Sequence, residues 1–317
     1  MEKKLSFQHL TKFFPLIGIL LFVYLIIDIG PTEIWQALLK IPPLYYALAL
    51  PLFIPRAVLF AYKWKLICKY QNINASFWYL LKIYFVCMFY GTVTPGSVGW
   101  HMRIYYLHKK SGAPVEKCVA NSLVDSTVSF IGVLSLGLIG AIVFFNQVTS
   151  WFIPIFLFFV VYVGMFVLLV RRERGKKIVD FLIKPILPQK WQERLDETLG
   201  IMYQDMPRLR QLLFPISIEF LLCFVHALQT YIILLAFTNT VPYLPFVLIN
   251  SITFVIAALP ISIGGIGVRE GAFVSLLGAI WLVPQATCFA VSFISFLIVI
   301  LVPAIAGLFY SFWMKDI

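Results

Sequence analysis

Charge is what this chain has least of. Only 12% of its 317 residues are Asp, Glu, Lys or Arg, while 61% are apolar. A soluble domain carries roughly 25% charged residues, so a water-soluble globule is excluded: there is too little polar surface to cover so much hydrophobic side chain. Acidic residues are scarcer than basic ones, 14 against 25, and the net charge is +11. In so apolar a chain this excess reads as cytoplasmic loops facing anionic lipid, not as a nucleic-acid surface, and no nucleic-acid partner is expected. Cysteine is sparse as well. The five cysteines stand singly, with no C-x-x-C and no metal-ligand spacing to the four histidines, which excludes a disulfide scaffold and a zinc site. They read as small core residues. Catalytic motifs are missing too: there is no G-x-S-x-G, no H-E-x-x-H and no paired acids, and neither Ser97 nor Ser262 has a histidine in register. The expectation is a protein that is not an enzyme and needs no cofactor.

What the chain does have is long uncharged runs, at residues 13–27, 148–170, 220–268 and 271–314. A helix needs about 20 apolar residues to cross a hydrocarbon core of ~30 Å, so this is an all-α polytopic membrane protein. Between residues 220 and 314 the only Asp, Glu, Lys or Arg side chains are Arg269 and Glu270. The first run follows a basic segment with no small-residue cleavage site, and it reads as an uncleaved first span.

The basic residues set the topology. Lys3, Lys4 and Lys12 place the N-terminus in the cytoplasm, and Lys63, Lys65 and Lys69 bring the second span back there. A simple third crossing from residue 74 would then put Arg103, Lys109, Lys110 and Lys117 on the wrong side. The conflict disappears if the chain turns at Thr94-Pro95-Gly96 and returns, making a re-entrant hairpin near residues 74–112. The next spans, near 115–145 and 148–170, lead out and back to the basic stretch from Arg171. In the second half a span from about residue 212 leads out, and the segments 245–259 and 268–282 are too short for full crossings. They read as a second hairpin near 245–282, entered from outside. Residues 286–313 then bring Lys315 and the C-terminus to the cytoplasm.

Three spans and one hairpin thus occur twice with opposite orientation, the inverted-topology repeat of many secondary transporters. The first repeat covers 1–147; the second covers 148–170 and 212–317. Between them, 171–211 reads as a cytoplasmic basic linker with an amphipathic helix, in which Trp191, Leu195, Leu199 and Met202 recur at helical spacing. Such a helix lies in the interface or docks a cytoplasmic or membrane enzyme.

Both hairpins carry one pattern at their turns. Pro95-Gly96-Ser97-Val98-Gly99 has Arg103 four residues beyond, and Pro260-Ile261-Ser262-Ile263-Gly264-Gly265 has Arg269 four residues beyond. Pro and Gly break helices, and arginine is costly in lipid, so the repeat points to paired sites. The candidate substrate-binding residues are Ser97, Gly99 and Arg103 in the first hairpin. In the second they are Ser262, Gly264, Gly265, Gly267, Arg269 and Glu270. Arg269 and Glu270 open a helix, where unpaired N–H groups and a guanidinium suit a phosphate; the glycines serve equally to permit a tight turn. Three further ions are expected within the membrane. Arg56 and Asp125 lie at similar depth and are candidates to pair as a gate or a structural salt bridge, and Glu219 lies within reach of Arg269.

The chain resembles, over nearly its whole length, the flippase-like family similar to the transmembrane region of lysylphosphatidylglycerol synthase. The resemblance rests on Thr94 to Gly99 leading to Arg103-Ile104-Tyr105-Tyr106-Leu107, on Leu123-Val124-Asp125, and above all on residues 259–271, LPISIGGIGVREG. Two positions depart from it. Trp100-His101 stands where an acidic residue is common, and Ser126 where an arginine often follows the aspartate, so no acid-dependent role carries over to the first hairpin. The resemblance implies lipid translocation. The soluble aminoacyl-transferring domain of the fused relatives has no counterpart here, so lipid aminoacylation is not expected. The leading expectation is therefore a translocator of an anionic or phosphate-bearing lipid head group at the cell membrane. Arg269 would contact the phosphate, Arg103 would sit at the cytoplasmic mouth, and Asp125 with Arg56 would form a gate. The alternatives are a non-transporting scaffold for a lipid- or glycosyl-transferring enzyme, and a transporter of a small soluble anion.

Overall fold

The computed structural model describes residues 14–170, 177, 181, 184–186, 189–258, 262 and 265–313. The basic N-terminus, most of residues 171–188, Gly264 and Lys315 lie outside the described residues. Everything described is helix or short connection, with no strand among the described residues. The helices are α1 Phe14–Ile29, α2 Pro31–Leu39, α3 Pro43–Ala49, α4 Phe53–Tyr70, α5 Phe77–Val93, α6 Met102–Ser111 and α7 Val115–Val143. They continue with α8 Phe145–Val170, α9 Gln189–Gln204, α10 Leu209–Leu235, α11 Tyr243–Ala257, α12 Val268–Trp281, α13 Gln285–Phe296 and α14 Val302–Trp313.

Length and composition separate two kinds of helix. Pro43–Tyr70, Val115–Val143, Leu209–Leu235 and Gln285–Phe312 are each long and apolar enough to cross a membrane. α8 adds 26 residues without a charged side chain. By contrast α5, α6, α11 and α12 have 17, 10, 15 and 14 residues, short of the ~20 a full crossing needs. These four are the arms read from the sequence as two hairpins, with edges within a few residues of those expected. Many large apolar side chains are exposed, among them Leu20, Ile27, Val161 and Phe309. In water such a surface would drive aggregation; against acyl chains it costs nothing.

Local chemistry sets the ends. Ser76 caps α5 by accepting from the Tyr79 N–H, and Gly112, at φ 66°, closes α6 in the left-handed conformation that glycine adopts without strain. Gly30 ends α1, and Pro31 then starts α2 at an angle of 87° to it. Helix α2 was not among the elements expected from the sequence, nor was the π turn Leu297–Leu301 that joins α13 to α14.

The two halves are interleaved. α5, the first arm of the first hairpin, lies along α14, and α11, the first arm of the second, lies along α7. At each contact a glycine lets the backbones close. A Cβ on Gly307 would lie 1.8 Å from the Phe85 carbonyl oxygen, and one on Gly140 would lie 3.0 Å from Leu248 Cβ. α4 and α10 cross between the hairpins. One apolar core gathers α7 and α10 to α13, and a second gathers α4 to α6 with Ile218 and Leu222 of α10. All five cysteines are buried and free within these helices, as their isolation in the sequence predicted. α9 turns its apolar face, Leu199 and Tyr203, inward beside Met202 and Met206, against the start of α7.

Candidate functional site

A seam of buried polar side chains runs through the apolar helices, and it begins on α7. Ser122, Asp125, Ser126, Ser129 and Gly132 recur every three or four residues and share one face. Arg103, 1% exposed on α6, closes on the upper part of this face. Its guanidinium pairs with Asp125, donates to Ser126 Oγ at 2.6 Å and holds Ser122 through Oγ at 2.8 Å and the carbonyl at 2.7 Å. Lys63 of α4 closes on the lower part. Its ammonium lies 3.2 Å from Asp125, 2.6 Å from Glu219 of α10 and 2.6 Å from Ser129 Oγ. Ser129 in turn donates to Glu219 at 3.2 Å. Gly132 makes room for that carboxylate: a Cβ there would fall 2.7 Å from Glu219 Cγ.

Two cations and two anions therefore meet inside the protein with their charges balanced. Burial of each ion costs several kcal/mol on the order of what the pairing returns, so the cluster adds little net stability while intact. Loss of one member is different, because it strands an ion in a low-dielectric interior, at about 3–5 kcal/mol. The aromatic faces of Trp64 and Trp100 flank the Arg103 guanidinium at 5.8 and 5.9 Å, and Phe60 lies 4.8 Å from the Lys63 ammonium.

The second hairpin repeats the arrangement with fewer parts. Gly265 and Gly267 take φ values of 78° and 82°, which L side chains rarely adopt, and α12 starts directly after them. Arg269 donates through Nε to Ser292 Oγ of α13 at 3.2 Å and through Nη2 to Glu270 at 2.6 Å. Each hairpin arginine thus reaches a serine 23 residues further along the chain, Ser126 for Arg103 and Ser292 for Arg269. Glu270 is fully buried. It accepts from Arg269 and Ser292 with one oxygen and from the Gly267 N–H, at 2.6 Å, with the other. Arg269 stays partly open, its side chain 12% exposed, and among the described residues its Nη1 has no hydrogen-bond partner. Ser262 is buried with its hydroxyl unpartnered.

A third polar group sits between these two. Arg56 of α4 donates to Gln229 Oε1 at 3.2 Å, to the Tyr84 hydroxyl at 3.3 Å and to the Val299 carbonyl at 2.6 Å. No carboxylate comes within ion-pair distance of it among the described residues.

Several expectations need correction. Arg56 does not pair with Asp125: the two lie at similar depth on their helices, but Asp125 faces Lys63 and Arg103 while Arg56 faces α10 and the π turn. Glu219 does not reach Arg269, because Lys63 holds it. Arg103 is not at an open mouth; it is locked beneath two tryptophans. Glu270 does not present itself to a ligand, since its carboxylate already fills the helix start that an external anion was expected to take. In the first hairpin, Gly99 packs its backbone where a Cβ would meet the Tyr90 carbonyl at 2.2 Å, a structural role, and its N–H donates to Thr94. Ser97 lies in the short turn Pro95–His101, and Gly264 lies outside the described residues.

Lys63, Gln229, Ser122, Ser126, Ser129 and Ser292 were missed. Lys63 was read only as a marker of the cytoplasmic side, although its place seven residues after Arg56 puts both on one face of α4. The serine stripe on α7 was legible from spacing alone. Nothing in the sequence marks the neutral Gln229.

Open clefts border both hairpins. One of about 550 Å³ is lined by Tyr90, Thr94, Gly99, His101 and Tyr105 beside the first. One of about 530 Å³ lies at the far end of the second, lined by Glu33, Lys40, Thr238, Trp281 and Thr287.

Comparison with known proteins gives this geometry its relatives. The family model of the lysylphosphatidylglycerol synthase transmembrane region matches residues 14–307. A UPF0104 membrane protein of Methanothermobacter thermautotrophicus is 25% identical over 287 residues, covering 84% of this chain and 85% of its own length. A second UPF0104 membrane protein of the same organism is 25% identical over 273 residues, covering 78% of this chain and 77% of its own.

Proposed function

Because the chain belongs to the family of the lysylphosphatidylglycerol synthase transmembrane region, we propose that it is a lipid translocator, moving a phosphate-bearing or otherwise anionic lipid head group between leaflets. In this reading the two hairpins are re-entrant, inserted from opposite faces, and belong to an inverted repeat. What supports it is the matched chemistry of the halves: each hairpin arginine reaches a serine 23 residues on, and the first arm of each hairpin packs on the last span of the other half. A re-entrant backbone is tolerated only where protein or a water-filled cavity shields it, and paired broken helices place a polar path near the midplane.

One observation carries the site. Among the described residues the Nη1 of Arg269 has no hydrogen-bond partner, so this hairpin arginine can offer it to a phosphate oxygen while Nε and Nη2 hold it in place. Ser262, buried with an unpartnered hydroxyl in the same turn, offers a second donor. Arg103 has no such capacity, and its role is to fix the first hairpin to α7.

The test is leaflet exchange in liposomes. Full-length protein should accelerate the exchange of a fluorescent phosphatidylglycerol over protein-free vesicles, and should do far less for a fluorescent ceramide, which has no phosphate. Equal rates with and without protein would end the translocator reading. A scaffold for a lipid- or glycosyl-transferring enzyme is less favoured, because the part of the α9 apolar face around Leu199 and Tyr203 already packs within its own chain.

A further inference from the structure

We infer that Arg56 and Gln229 form an anion-binding subsite midway through the membrane, one that takes a phosphate group. The inference rests on the translocator reading for its biological setting, but the site is argued from its own atoms. Arg56 lies halfway along the span Pro43–Tyr70, and the π turn Leu297–Leu301 that it touches lies halfway along Gln285–Phe312.

Among the described residues the other two buried cations, Lys63 and Arg103, are matched by Asp125 and Glu219. Arg56 has no carboxylate partner there. Its three partners are neutral acceptors, and a guanidinium does not shed its proton to escape burial. A lone cation near a span centre is costly, and the site holds one surplus positive charge that an anion would neutralise.

Gln229 supplies the second half. Its amide is fully buried; Oε1 accepts from Arg56, which fixes the orientation, because a flipped amide would set donor against donor. Nε2 is then a buried donor with no partner. Such groups are rare in native interiors and call for an acceptor. The Val299 carbonyl completes the description. A π turn interrupts the regular helical ladder and is common at functional sites, and here its carbonyl accepts from Arg56 at 2.6 Å. An arriving phosphate would compete with that carbonyl for the same guanidinium.

The experiment uses the full chain in detergent. Thermal melts are recorded with inorganic phosphate and with dihexanoyl phosphatidylglycerol, for wild type, Gln229→Glu and Arg56→Gln. Gln229→Glu supplies the missing counter-charge in nearly the same shape, and Arg56→Gln removes the surplus; a neutral core at either position leaves at least one variant to read. The expected result is a rise of roughly 2 °C or more in wild-type Tm with saturating ligand, clearly reduced in both variants, which keep Arg269. Stabilisation by phosphate alone identifies a soluble anion as the occupant, by the lipid alone a head group, and by both the phosphate moiety itself. The inference is overturned if neither ligand shifts the wild type, or if either variant keeps the full shift. The two readings separate cleanly: a variant-sensitive shift with no leaflet exchange leaves the subsite standing without the translocator. Wild-type exchange with a shift indifferent to both substitutions does the reverse.

Discussion

The two hairpin arginines differ in what surrounds them, although the chain builds them alike. Arg103 and Arg269 each follow a Pro-x-Ser-x-Gly break and each binds a serine 23 residues on. Arg103 is then enclosed by Asp125, two serines and two tryptophans, and is 1% exposed. Among the described residues Arg269 has Glu270 and Ser292 as partners and an open Nη1, with Phe296 4.8 Å away. One local motif therefore serves as a structural lock in the first half and as an available cation in the second. The difference lies in where each half carries its acidic residue. Asp125 supplies the first half with a carboxylate that Lys63 and Glu219 extend into a closed cluster, whereas the second half carries its acid next to the arginine itself, at Glu270.

If that contrast is right, damage to the first half should be read in stability. Asp125→Ala leaves Lys63 and Arg103 with only Glu219 between them, and should cost about 3–5 kcal/mol, seen as a large drop in the melting temperature of the detergent-solubilised protein. A fully stable Asp125→Ala that no longer exchanges lipid would reverse the assignment of the two halves. Next in size is the glycine contact. Gly307→Ala drives a methyl into the Phe85 carbonyl, and Gly140→Ala meets side chains at 3.0 Å and beyond. The first should lose roughly 1–3 kcal/mol and the second clearly less, by the same melt. Equal losses would mean that the two hairpins are not packed with the difference in closeness described here.

The smallest effect is expected outside the spans. Lys117 and Asn72 both donate to Asp205, which ties the end of the linker helix to α4 and α7. The hydrogen bond from Lys117 holds the Asp205 carboxyl below its ordinary pKa of 3.8. A depressed folded-state pKa gives stability that is present above the unfolded value and lost as pH falls through the folded one. Asp205→Asn should thus matter little, at most about 1 kcal/mol, and its difference from wild type should be constant at neutral pH, begin to shrink near about pH 4 and vanish only once pH falls below the depressed folded-state value. A difference that grew on acidification would contradict the pairing.

Much of this architecture was legible in the sequence because it depends on length and charge. Helix-breaking Pro and Gly marked the breaks between α5 and α6 and between α11 and α12. The partners of the buried ions were not legible. Depth along a helix follows from residue count, but the direction a side chain faces around the helix does not connect it to a neighbour 150 residues away. Lys63 meets Glu219 across a separation of 156, and Arg56 meets Gln229 across 173. Arg56 and Asp125, placed together by depth, face different helices for that reason. Gln229 and the Val299 carbonyl carry no charge at all, and the π turn that presents the carbonyl leaves no mark in a run of Leu, Ile and Val. The helix start at α12 was legible as an anion site; what could not be read was that Glu270 folds back to fill it.

The central claim is that Arg269 serves the substrate while Arg103 serves the fold. It is tested most directly by fluorescent phosphatidylglycerol exchange in liposomes with Arg269→Ala, normalised to the amount of folded protein recovered in the membrane. The account predicts a loss of roughly tenfold or more per folded molecule, equivalent to the ~1.4 kcal/mol or more expected of a charge-assisted phosphate contact. Exchange at the wild-type rate would contradict it.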